Sequence, residues 1–521
     1  MRTEELTIES LASSGAGVAH LADGRVAFVA GGLEGDVVRA SYIDPGSPDT
    51  DSAADSDSAA GPSAAGGHDS AAGHDSAVGP DSAAGPDAGS STLTIANAPS
   101  TPASVPRPLT QTGTPGAPAP APSRKRYVNA TLDEVVSPSP HRVTPPCELA
   151  RDGRCGGCAW ACLSYPHQLE AKRRLVTDAL ERIAHLPEAR VRHIVADCVP
   201  SERQWGYRNK VEFSAGTDVA GRLALGMHAR SGGFVPLAEC KLLAGGLESA
   251  PRALTGALRM ALGSDDYAIS RVGVRHSTVT SSTEIAVWSA PGRFPRAMCA
   301  KTLSQSLPAS HVGVTRVLVR GDVSERKVAG VESLAGRGSW TERLAGFDYT
   351  VSAPSFFQVN TPGAATLVSL VLDAVQPGDL DVVVDLYSGV GTFTLPLAAS
   401  GAAVTAVEME GSAVRDLSRN LERASLPADV IGGDVARELT HMAAVHKVVC
   451  DPPRSGLSAA ARDALATLAP HVIAYVSCDP ATLARDAAAL IDAGYSLARA
   501  TPVDLFPQTP HVETVAQFVR A

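Results

Sequence analysis

One cysteine of the chain has the setting of a nucleophile. Cys478 follows a β-branched run in segment 475–482, and we expect it at the end of a strand. A thiol reacts as its thiolate, and the N-terminus of a helix opening at Pro480 would help to lower its pKa from about 8.5. Many cysteines in strands are inert core residues, an interpretation that suits Cys450 better because it lies inside an apolar run. Cys478 is therefore the candidate nucleophile.

A base is the natural companion of such a thiol. If the thiol adds to a carbon that must later lose a proton, another group has to take that proton. Glu513, at the end of the turn-rich segment 506–513, is the best candidate, and His511 is a competing choice. For both residues the alternative is an exposed polar side chain on a terminal hairpin.

A glycine-containing turn and an acidic residue suggest a cofactor site upstream. The strand-like run 382–385 leads into Asp385-Leu-Tyr-Ser-Gly-Val-Gly391, where glycines let the backbone turn tightly against a ligand. Glu408 closes the next strand 19 residues after Gly389, where an acid binds the ribose hydroxyls in doubly wound folds. The third glycine of a dinucleotide fingerprint is absent, which favours S-adenosylmethionine over NAD.

Asp451 opens a rigid segment, Asp-Pro-Pro-Arg-Ser-Gly at 451–456. Two consecutive prolines fix φ twice and remove two backbone donors, so this segment can hold the carboxylate towards the cofactor cleft. Turn formation alone is the alternative explanation for the prolines. The combination with the first two strands favours the functional interpretation.

The elements that must position these residues form an alternating pattern. From residue 379 onward, short β-branched runs alternate with Ala/Leu-rich helical stretches, which predicts an α/β, doubly wound (Rossmann-like) parallel sheet. The predicted strands are 382–385, 404–407, 448–450 and 472–475. Because ligands bind at the carboxyl edge of such sheets, the candidate residues should meet there.

Cysteines also cluster near the middle of the chain. Cys147, Cys155, Cys158 and Cys162 lie within 16 residues, with glycines between the second and third. Closely spaced thiolates suit zinc or an iron–sulfur cluster, and spacing alone does not choose between them. The C-x3-C-x2-C loop of a radical enzyme is absent.

The remaining regions differ in composition. Residues 5–43 alternate apolar and polar positions between glycines, as in a small β-barrel, and strand-like sequence resumes at 127–136. Between them, 45–123 is an Asp/Ala/Ser/Gly/Pro tract that we predict to be a disordered insertion. Residues 195–350 are β-rich. We therefore predict three domains: 1–136 interrupted by 45–123, then 137–350, then 351–521.

The charge balance permits a nucleic-acid partner. The net charge is -10, but residues 44–123 contain nine Asp and one Arg, which leaves -2 for the rest of the chain. The N-terminus does not look like a signal peptide, and no apolar run approaches the roughly 18 residues of a membrane span. We expect a cytoplasmic monomer without a membrane partner.

Three segments together resemble the RNA 5-methyluridine methyltransferase family. They are Asp-Pro-Pro-Arg-Ser-Gly at 451–456, Tyr-Val-Ser-Cys-Asp-Pro-Ala-Thr at 475–482 and Phe-Pro-Gln-Thr-Pro-His-Val-Glu at 506–513. The chemistry agrees, since C5 of uracil attacks a methyl group only after a thiolate has added at C6. The resemblance implies Cys478 as nucleophile and Glu513 as base, with S-adenosylmethionine contacts at Gln358, Tyr387, Glu408 and Asp451. The chain departs from the family at Asp479, often Asn, and at Tyr387, often Phe.

The resemblance extends to the front of the chain. The uracil-methylating branch with a 4Fe-4S cluster shows the Cys-Gly-Gly-Cys segment, which implies the ligands Cys147, Cys155, Cys158 and Cys240 and leaves Cys162, Cys198 and Cys299 as bystanders. Segments 5–43 and 124–136 resemble a TRAM domain, an RNA-associated β-barrel. Tyr207-Arg-Asn-Lys210 looks like a family element in which Arg208 and Lys210 contact phosphate and Tyr207 stacks on a base.

The expected substrate is a uridine of RNA, specifically 23S ribosomal RNA, because the TRAM-plus-cluster architecture resembles that branch. Three alternatives remain open. The first is a transfer-RNA uridine-C5 methyltransferase. The second is an RNA cytosine-C5 methyltransferase, although such enzymes carry a further Cys where this chain has Arg454. The third is a non-catalytic iron–sulfur protein that binds RNA.

Overall fold

Strands at both ends of the segment 44–125 form one N-terminal sheet. The computed structural model describes residues 1–43, 126–230, 232–309, 311–321 and 327–520, so the tract expected to be disordered lies outside the described residues. The strands are β1 (Arg2–Thr7), β2 (Ser10–Leu11), β3 (Gly17–His20), β4 (Val26–Ala30), β5 (Val37–Tyr42) and β6 (Tyr127–Ser137), in the spatial order β1-β5-β6-β4-β3-β2. Strand β6 pairs with both β5 and β4. The tract is therefore inserted within one sheet, as its flanking patterns predict.

A second sheet forms the middle of the chain. Helices α1 (Glu148–Arg151), α2 (Tyr165–Arg182) and α3 (Glu188–Ile194) precede it. Its strands are β7 (Lys210–Thr217), β8 (Leu223–His228), β9 (Phe234–Pro236), β10 (Ile269–His276), β11 (Ser282–Ser289), β12 (His311–Arg320) and β13 (Lys327–Ala335), and helices α4 (Ala250–Leu262) and α5 (Arg296–Ser304) lie between them. A hairpin of β14 (Ser339–Leu344) and β15 (Phe347–Ser352) follows. The region is β-rich, as its composition predicts.

The C-terminal part is a doubly wound sheet in the order β18-β17-β16-β19-β20-β22-β21. Its strands are β16 (Val382–Leu386), β17 (Ala403–Glu408), β18 (Asp429–Gly432), β19 (Lys447–Cys450), β20 (Val472–Ser477), β21 (Tyr495–Val503) and β22 (Glu513–Arg520). Its helices are α6 (Thr361–Val375), α7 (Thr394–Ala399), α8 (Gly411–Ala424), α9 (Val435–Leu439), α10 (Ala459–Leu468) and α11 (Pro480–Asp492). The first five strands are parallel, and β22 is antiparallel to β20. Buried apolar clusters on both faces explain why the strands are almost continuously apolar.

Helices α2 and α3 pack on the C-terminal sheet, although the sequence groups them with the middle region. Val176 and Leu180 of α2 belong to the apolar cluster of that sheet. Val195 and Val199 form parallel bridges to Ala500 and Val503 of β21. The stretch that follows the cysteine-rich segment therefore supports the strand that precedes Glu513. No helix among the described residues is long and apolar enough to cross a membrane.

Candidate active site

The parallel register brings the predicted residues to one edge of the sheet. Leu386 pairs with Val407 on one side and with Cys450 on the other, and Cys450 pairs with Tyr475. The residues that follow these positions therefore leave the sheet at the same level. These residues include Tyr387, Glu408, Asp451 and, after the last two positions of β20, Cys478. The expected convergence at the carboxyl edge is present.

Cys478 and Glu513 lie at the ends of two neighbouring antiparallel strands. Ser477 at the end of β20 pairs with Thr514 of β22, and Glu513 pairs on its other side with Val503. Cys478 directly follows the last paired residue of β20, and Glu513 directly precedes Thr514. The two residues therefore adjoin the same strand pair, and the charge of Glu513 acts on the Cys478 thiol.

The electrostatics of this pair is dominated by burial. Burial, together with the charges of Glu513 and Asp451, raises the pKa of the Cys478 thiol. Burial and the charge of Asp451 hold the pKa of Glu513 well above its usual range, and burial raises that of Asp451 to about 7. The guanidinium of Arg454 acts in the opposite direction on the pKa values of Cys478 and Glu513.

The pKa of the Cys478 thiol is thus raised on balance in the free protein, although a helix N-terminus follows the thiol as expected. Helix α11 does begin at Pro480, directly after the thiol. However, the Asp479 carboxylate caps this helix, accepting bonds of 2.9 Å from the backbone N–H groups of Ala481 and Thr482. Its negative charge further raises the thiol pKa. Burial and the neighbouring carboxylates thus determine the direction of the pKa shift at Cys478.

A buried carboxylate on α11 holds the Asp451 segment in place. Asp486 accepts hydrogen bonds of 2.8 Å from the backbone N–H of Leu457 and 2.7 Å from the Tyr475 hydroxyl. Gly456 has φ +71°, and a Cβ added there would lie 2.5 Å from Asp486 Oδ2. Only glycine fits this close approach, so the glycine after the two prolines is a requirement of the loop.

The Glu408 carboxylate holds the turn after β16. The N–H of Gly389 donates to Glu408 Oε2 at 2.9 Å, and the N–H of Glu410 donates to Glu408 Oε1 at 2.7 Å. A Cβ at Gly391 would approach Leu395 and Leu417 to 2.6 Å. Tyr387 adopts a left-handed φ of +60°, an uncommon conformation for a bulky residue that often marks functional sites. Glu408 thus shapes the glycine turn.

Asp385 is a further candidate for a cofactor contact, and the sequence motifs do not identify it. It is fully buried, and burial with the charges of Asp451 and Glu408 raises its pKa to about 7. Its Oδ2 accepts 2.6 Å from the Thr394 hydroxyl, and Oδ1 has no hydrogen-bond partner among the described residues. The signal in the sequence was a carboxylate closing an otherwise apolar strand.

Gln358 lies in a segment that other regions anchor. The Asn209 side chain donates 2.9 Å to the Gln358 carbonyl, and the Asn209 N–H donates 2.8 Å to that of Val359. Upstream, the Ser355 hydroxyl donates 2.7 Å to Asp416 of α8, the helix that follows Glu408. The segment with Gln358 is therefore tied to the cofactor side of the sheet.

The side chains of the motif at 207–210 make contacts within the protein. Tyr207 is buried, and its hydroxyl donates 3.1 Å to the carbonyl of Pro507, so stacking of this ring on an RNA base is ruled out in this conformation. Arg208 lies 5.8 Å from the centroid of the Phe506 ring, and Lys210 forms an ion pair of 2.7 Å with Glu212. These side chains are engaged within the protein, and Asn209 anchors the Gln358 segment.

The four cysteines proposed as ligands lie near one another. All nine cysteines are free thiols, and burial raises the pKa of Cys158, and that of Cys240 to about 11. Charges on Cys147, Cys155 and Cys240 contribute to the increase at Cys158, whereas Cys162 interacts with Arg142 and Arg230 instead. Among the described residues no group of three or more His, Cys, Asp or Glu could hold a metal ion as arranged. The donor set suits an iron–sulfur cluster chemically, because it consists of thiols alone.

The chain is similar to known RNA methyltransferases. Residues 435–520 match the tRNA (Uracil-5-)-methyltransferase family model. An RNA methyltransferase of Thermosynechococcus vestitus is 36% identical, covering 75% of this chain and 88% of its own. A relative from Chlorobaculum tepidum, also an RNA methyltransferase, is 34% identical, covering 76% and 87%.

A solved structure shares the architecture. The tRNA (uracil-54, C5)-methyltransferase of Pyrococcus abyssi, in complex with S-adenosyl-L-homocysteine, aligns with a TM-score of 0.57 and 26% identity. The alignment covers 75% of this chain and 90% of that one. The chain is accordingly an S-adenosylmethionine-dependent RNA methyltransferase and belongs to the RNA uracil-5 methyltransferase family.

Proposed function

We propose that the protein methylates C5 of a uridine in RNA through a covalent adduct at Cys478. The Cys478 thiolate adds to C6 of uracil, which makes C5 a nucleophilic enolate carbon. S-adenosylmethionine supplies the methyl group. Glu513 then takes the proton from C5, and elimination breaks the bond between Sγ and C6, returning the thiolate. The proximity of Glu513 to Cys478 at the ends of β22 and β20 carries this proposal.

The geometry favours Glu513 over His511 as the base. Glu513 begins β22 next to the end of β20, and its charge acts on the Cys478 thiol. His511 lies in the preceding turn, with its ring 6.1 Å from that of Phe506. A carboxylate with a raised pKa is also a stronger base than an ordinary one, provided that it is ionised when the C5 proton leaves. Arg454 favours that ionised state.

The cofactor residues remain those implied by the resemblance, and the structure adds Asp385. Glu408 would bind the ribose hydroxyls, and Tyr387, Gln358 and Asp451 would line the rest of the site. The free Oδ1 of Asp385 lies on the strand that leads into the glycine turn, which supports a ligand contact there. We also propose that the N-terminal sheet is a TRAM domain and that the enzyme acts as a cytoplasmic monomer.

A 4Fe-4S cluster held by Cys147, Cys155, Cys158 and Cys240 is part of this proposal. A thiol-only donor set supports it, as do the mutual charge interactions of these cysteines, although their side chains would have to rearrange to bind the cluster. When bound, the cluster would cross-link the cysteine-rich segment to the middle region, where Cys240 precedes α4. The thiols would have to be deprotonated on binding, because thiolates are the ligands.

Ribosomal RNA is the proposed substrate, from the resemblance to the cluster-containing branch. The matched family model and the Pyrococcus abyssi structure are named for transfer RNA, which makes a transfer-RNA uridine the second candidate. Cytosine methylation has less support, because Arg454 occupies the position of the second cysteine.

Nucleoside mass spectrometry distinguishes these possibilities. Ribosomal and transfer RNA from cells lacking the enzyme are incubated with the purified protein and labelled S-adenosylmethionine. We expect labelled 5-methyluridine in ribosomal RNA, and none with Cys478→Ala. Label in transfer RNA alone would overturn the ribosomal assignment, and label in 5-methylcytidine would overturn uridine as the target. Unchanged labelling by Cys478→Ala would contradict the covalent mechanism.

A further inference from the structure

The loop that delivers Glu513 is held in an unfavourable conformation. Residues 504–512 connect β21 to β22, and all except His511 are buried. Gln508, near the centre of the loop, has a left-handed φ of +71°, which residues with a side chain rarely adopt. Bonds from outside the loop must therefore maintain its shape.

One side chain makes a two-way contact with the strained residue. Gln168 of α2 is fully buried, and its Oε1 accepts 2.9 Å from the Gln508 N–H. Its Nε2 donates 3.0 Å to Gln508 Oε1, and also 3.1 Å to the Trp160 carbonyl and 2.8 Å to the Leu163 carbonyl. Both polar atoms of Gln168 are thus used to join α2, the end of the cysteine-rich segment and the loop.

Further hydrogen bonds connect the loop to the cysteine-rich segment, to the chain before β7 and to α2. The Trp160 N–H donates 2.9 Å to the Gln508 carbonyl, and the Gln508 side chain donates 3.3 Å to the Gln204 carbonyl. The Lys172 ammonium, one helical turn after Gln168, donates 3.0 Å to the Phe506 carbonyl and pairs with buried Asp504. Gln168 is the member of this network that contacts the strained residue from both ends of its amide.

We propose that Gln168 is a positioning residue for Glu513. Its amide holds Gln508 in the left-handed conformation, and the loop in turn sets where Glu513 enters β22 next to the end of β20. Cys478 lies between β20 and α11, and the Gln168 side chain forms no hydrogen bond to either element. Loss of the Gln168 amide should therefore slow proton removal by Glu513 more than addition of the Cys478 thiolate. The inference rests on the proposed function of Cys478 and Glu513.

The test separates these two steps in Gln168→Leu, which keeps the side-chain size and removes all of its hydrogen bonds. We expect turnover on ordinary RNA to fall about 10- to 100-fold, as for a misplaced catalytic group, while a methylated covalent protein–RNA adduct accumulates. Trapping by RNA that contains 5-fluorouridine should proceed at the wild-type rate. Gln168→Met, whose flexible unbranched side chain fills the same space without a hydrogen-bonding group, should have the same two effects and covers the case in which Gln168→Leu fails to fold.

Gln517→Leu is the matched control, because Gln517 lies on the same strand as Glu513 and, like Gln168, donates to a backbone carbonyl, that of Ala374 at 2.7 Å. We expect no adduct on ordinary RNA with this variant. Wild-type turnover in both Gln168 variants, or an equal loss of turnover and of 5-fluorouridine trapping, would overturn the inference. Failure of the wild-type protein to be trapped would instead refute the proposed function itself.

Discussion

At the scale of single residues, the site contains more negative charge than a thiolate would favour. Glu513 and Asp451 both raise the pKa of Cys478, and the cation whose charge opposes them most is Arg454. In the proposed mechanism both Cys478 and Glu513 must be ionised at different stages. In the free enzyme, the positive charge of Arg454 therefore favours the ionised form of both residues.

Replacing Arg454 with Gln should shift the pH dependence of adduct formation. Removing the positive charge disfavours the thiolate, so the pKa of Cys478 rises and the rate of 5-fluorouridine trapping reaches its plateau at a higher pH. A change of one pH unit corresponds to about 1.4 kcal/mol. The rate is measured from pH 6 to pH 10, with Arg192→Gln as a control because Arg192 is exposed and pairs with Glu188 on α3. An unchanged pH profile would contradict a role of Arg454 in stabilising the Cys478 thiolate.

The sequence could predict the identity of the chemical residues but not their environment. Cys478 and Glu513 follow from motifs, because the chemistry restricts both residue types. The raised thiol pKa and the burial of Tyr207 depend on the packing of distant segments, which no local pattern records. Asp385 was visible only as a charge in an apolar strand.

At the scale of elements, the conformation of the loop after β19 depends on the close packing of Gly456 against Asp486 and Arg485 of α11. Gly456 combines a positive φ with a potential Cβ contact of 2.5 Å to Asp486 Oδ2 and of 2.6 Å to Arg485 Nη2. Asp486 also accepts from Tyr475 and Leu457, so it has no room to move away. The loop that carries Asp451 is thus built against α11, the helix that follows Cys478.

Gly456→Ala should lower the free energy of unfolding by about 1–3 kcal/mol and slow methylation, because the new methyl group displaces the Asp451 loop. Gly494→Ala is the matched control, since Gly494 also has a positive φ, of +94°, but nothing lies within 4 Å of the added Cβ. Both are measured by urea denaturation and by initial methylation rate. Equal effects of the two substitutions would show that backbone strain alone matters.

Alternating runs predicted the parallel strands well, since buried parallel strands are short and apolar on both faces. The antiparallel insertion of β22 between β20 and β21 was not predicted, because it depends on the return of the chain through the loop 504–512. That insertion brings Glu513 next to the end of β20, which Cys478 follows. The motifs named the two candidate residues, and the topology explains how they come near each other.

At the scale of the whole molecule, the N-terminal sheet is continuous across a long insertion. Tyr42 at the end of β5 pairs with Ala130 of β6, so the ends of these strands lie close together. A deletion of 45–123 would leave five residues between Tyr42 and Tyr127, enough to span the roughly 10 Å of three strand residues. Closing a shorter loop also costs slightly less entropy.

The deletion variant should therefore fold and methylate RNA like the full chain. Soluble yield, thermal unfolding and the rate of 5-methyluridine formation are compared between the two proteins. Insoluble protein would contradict the assignment of 45–123 as a dispensable insertion. A folded variant with a raised KM for RNA and an unchanged kcat would instead give the insertion a role in substrate binding.

The most direct test of the account is covalent trapping with 5-fluorouridine RNA. After Cys478 adds and the methyl group is transferred, C5 carries fluorine in place of the hydrogen that the base removes. Elimination is therefore blocked, and the adduct persists. Mass spectrometry of the digested complex should locate the RNA on Cys478, and Glu513→Gln should accumulate the same linkage on ordinary RNA. A nucleotide attached to another residue, or no stable complex while 5-methyluridine is still formed on ordinary RNA, would contradict the central claim.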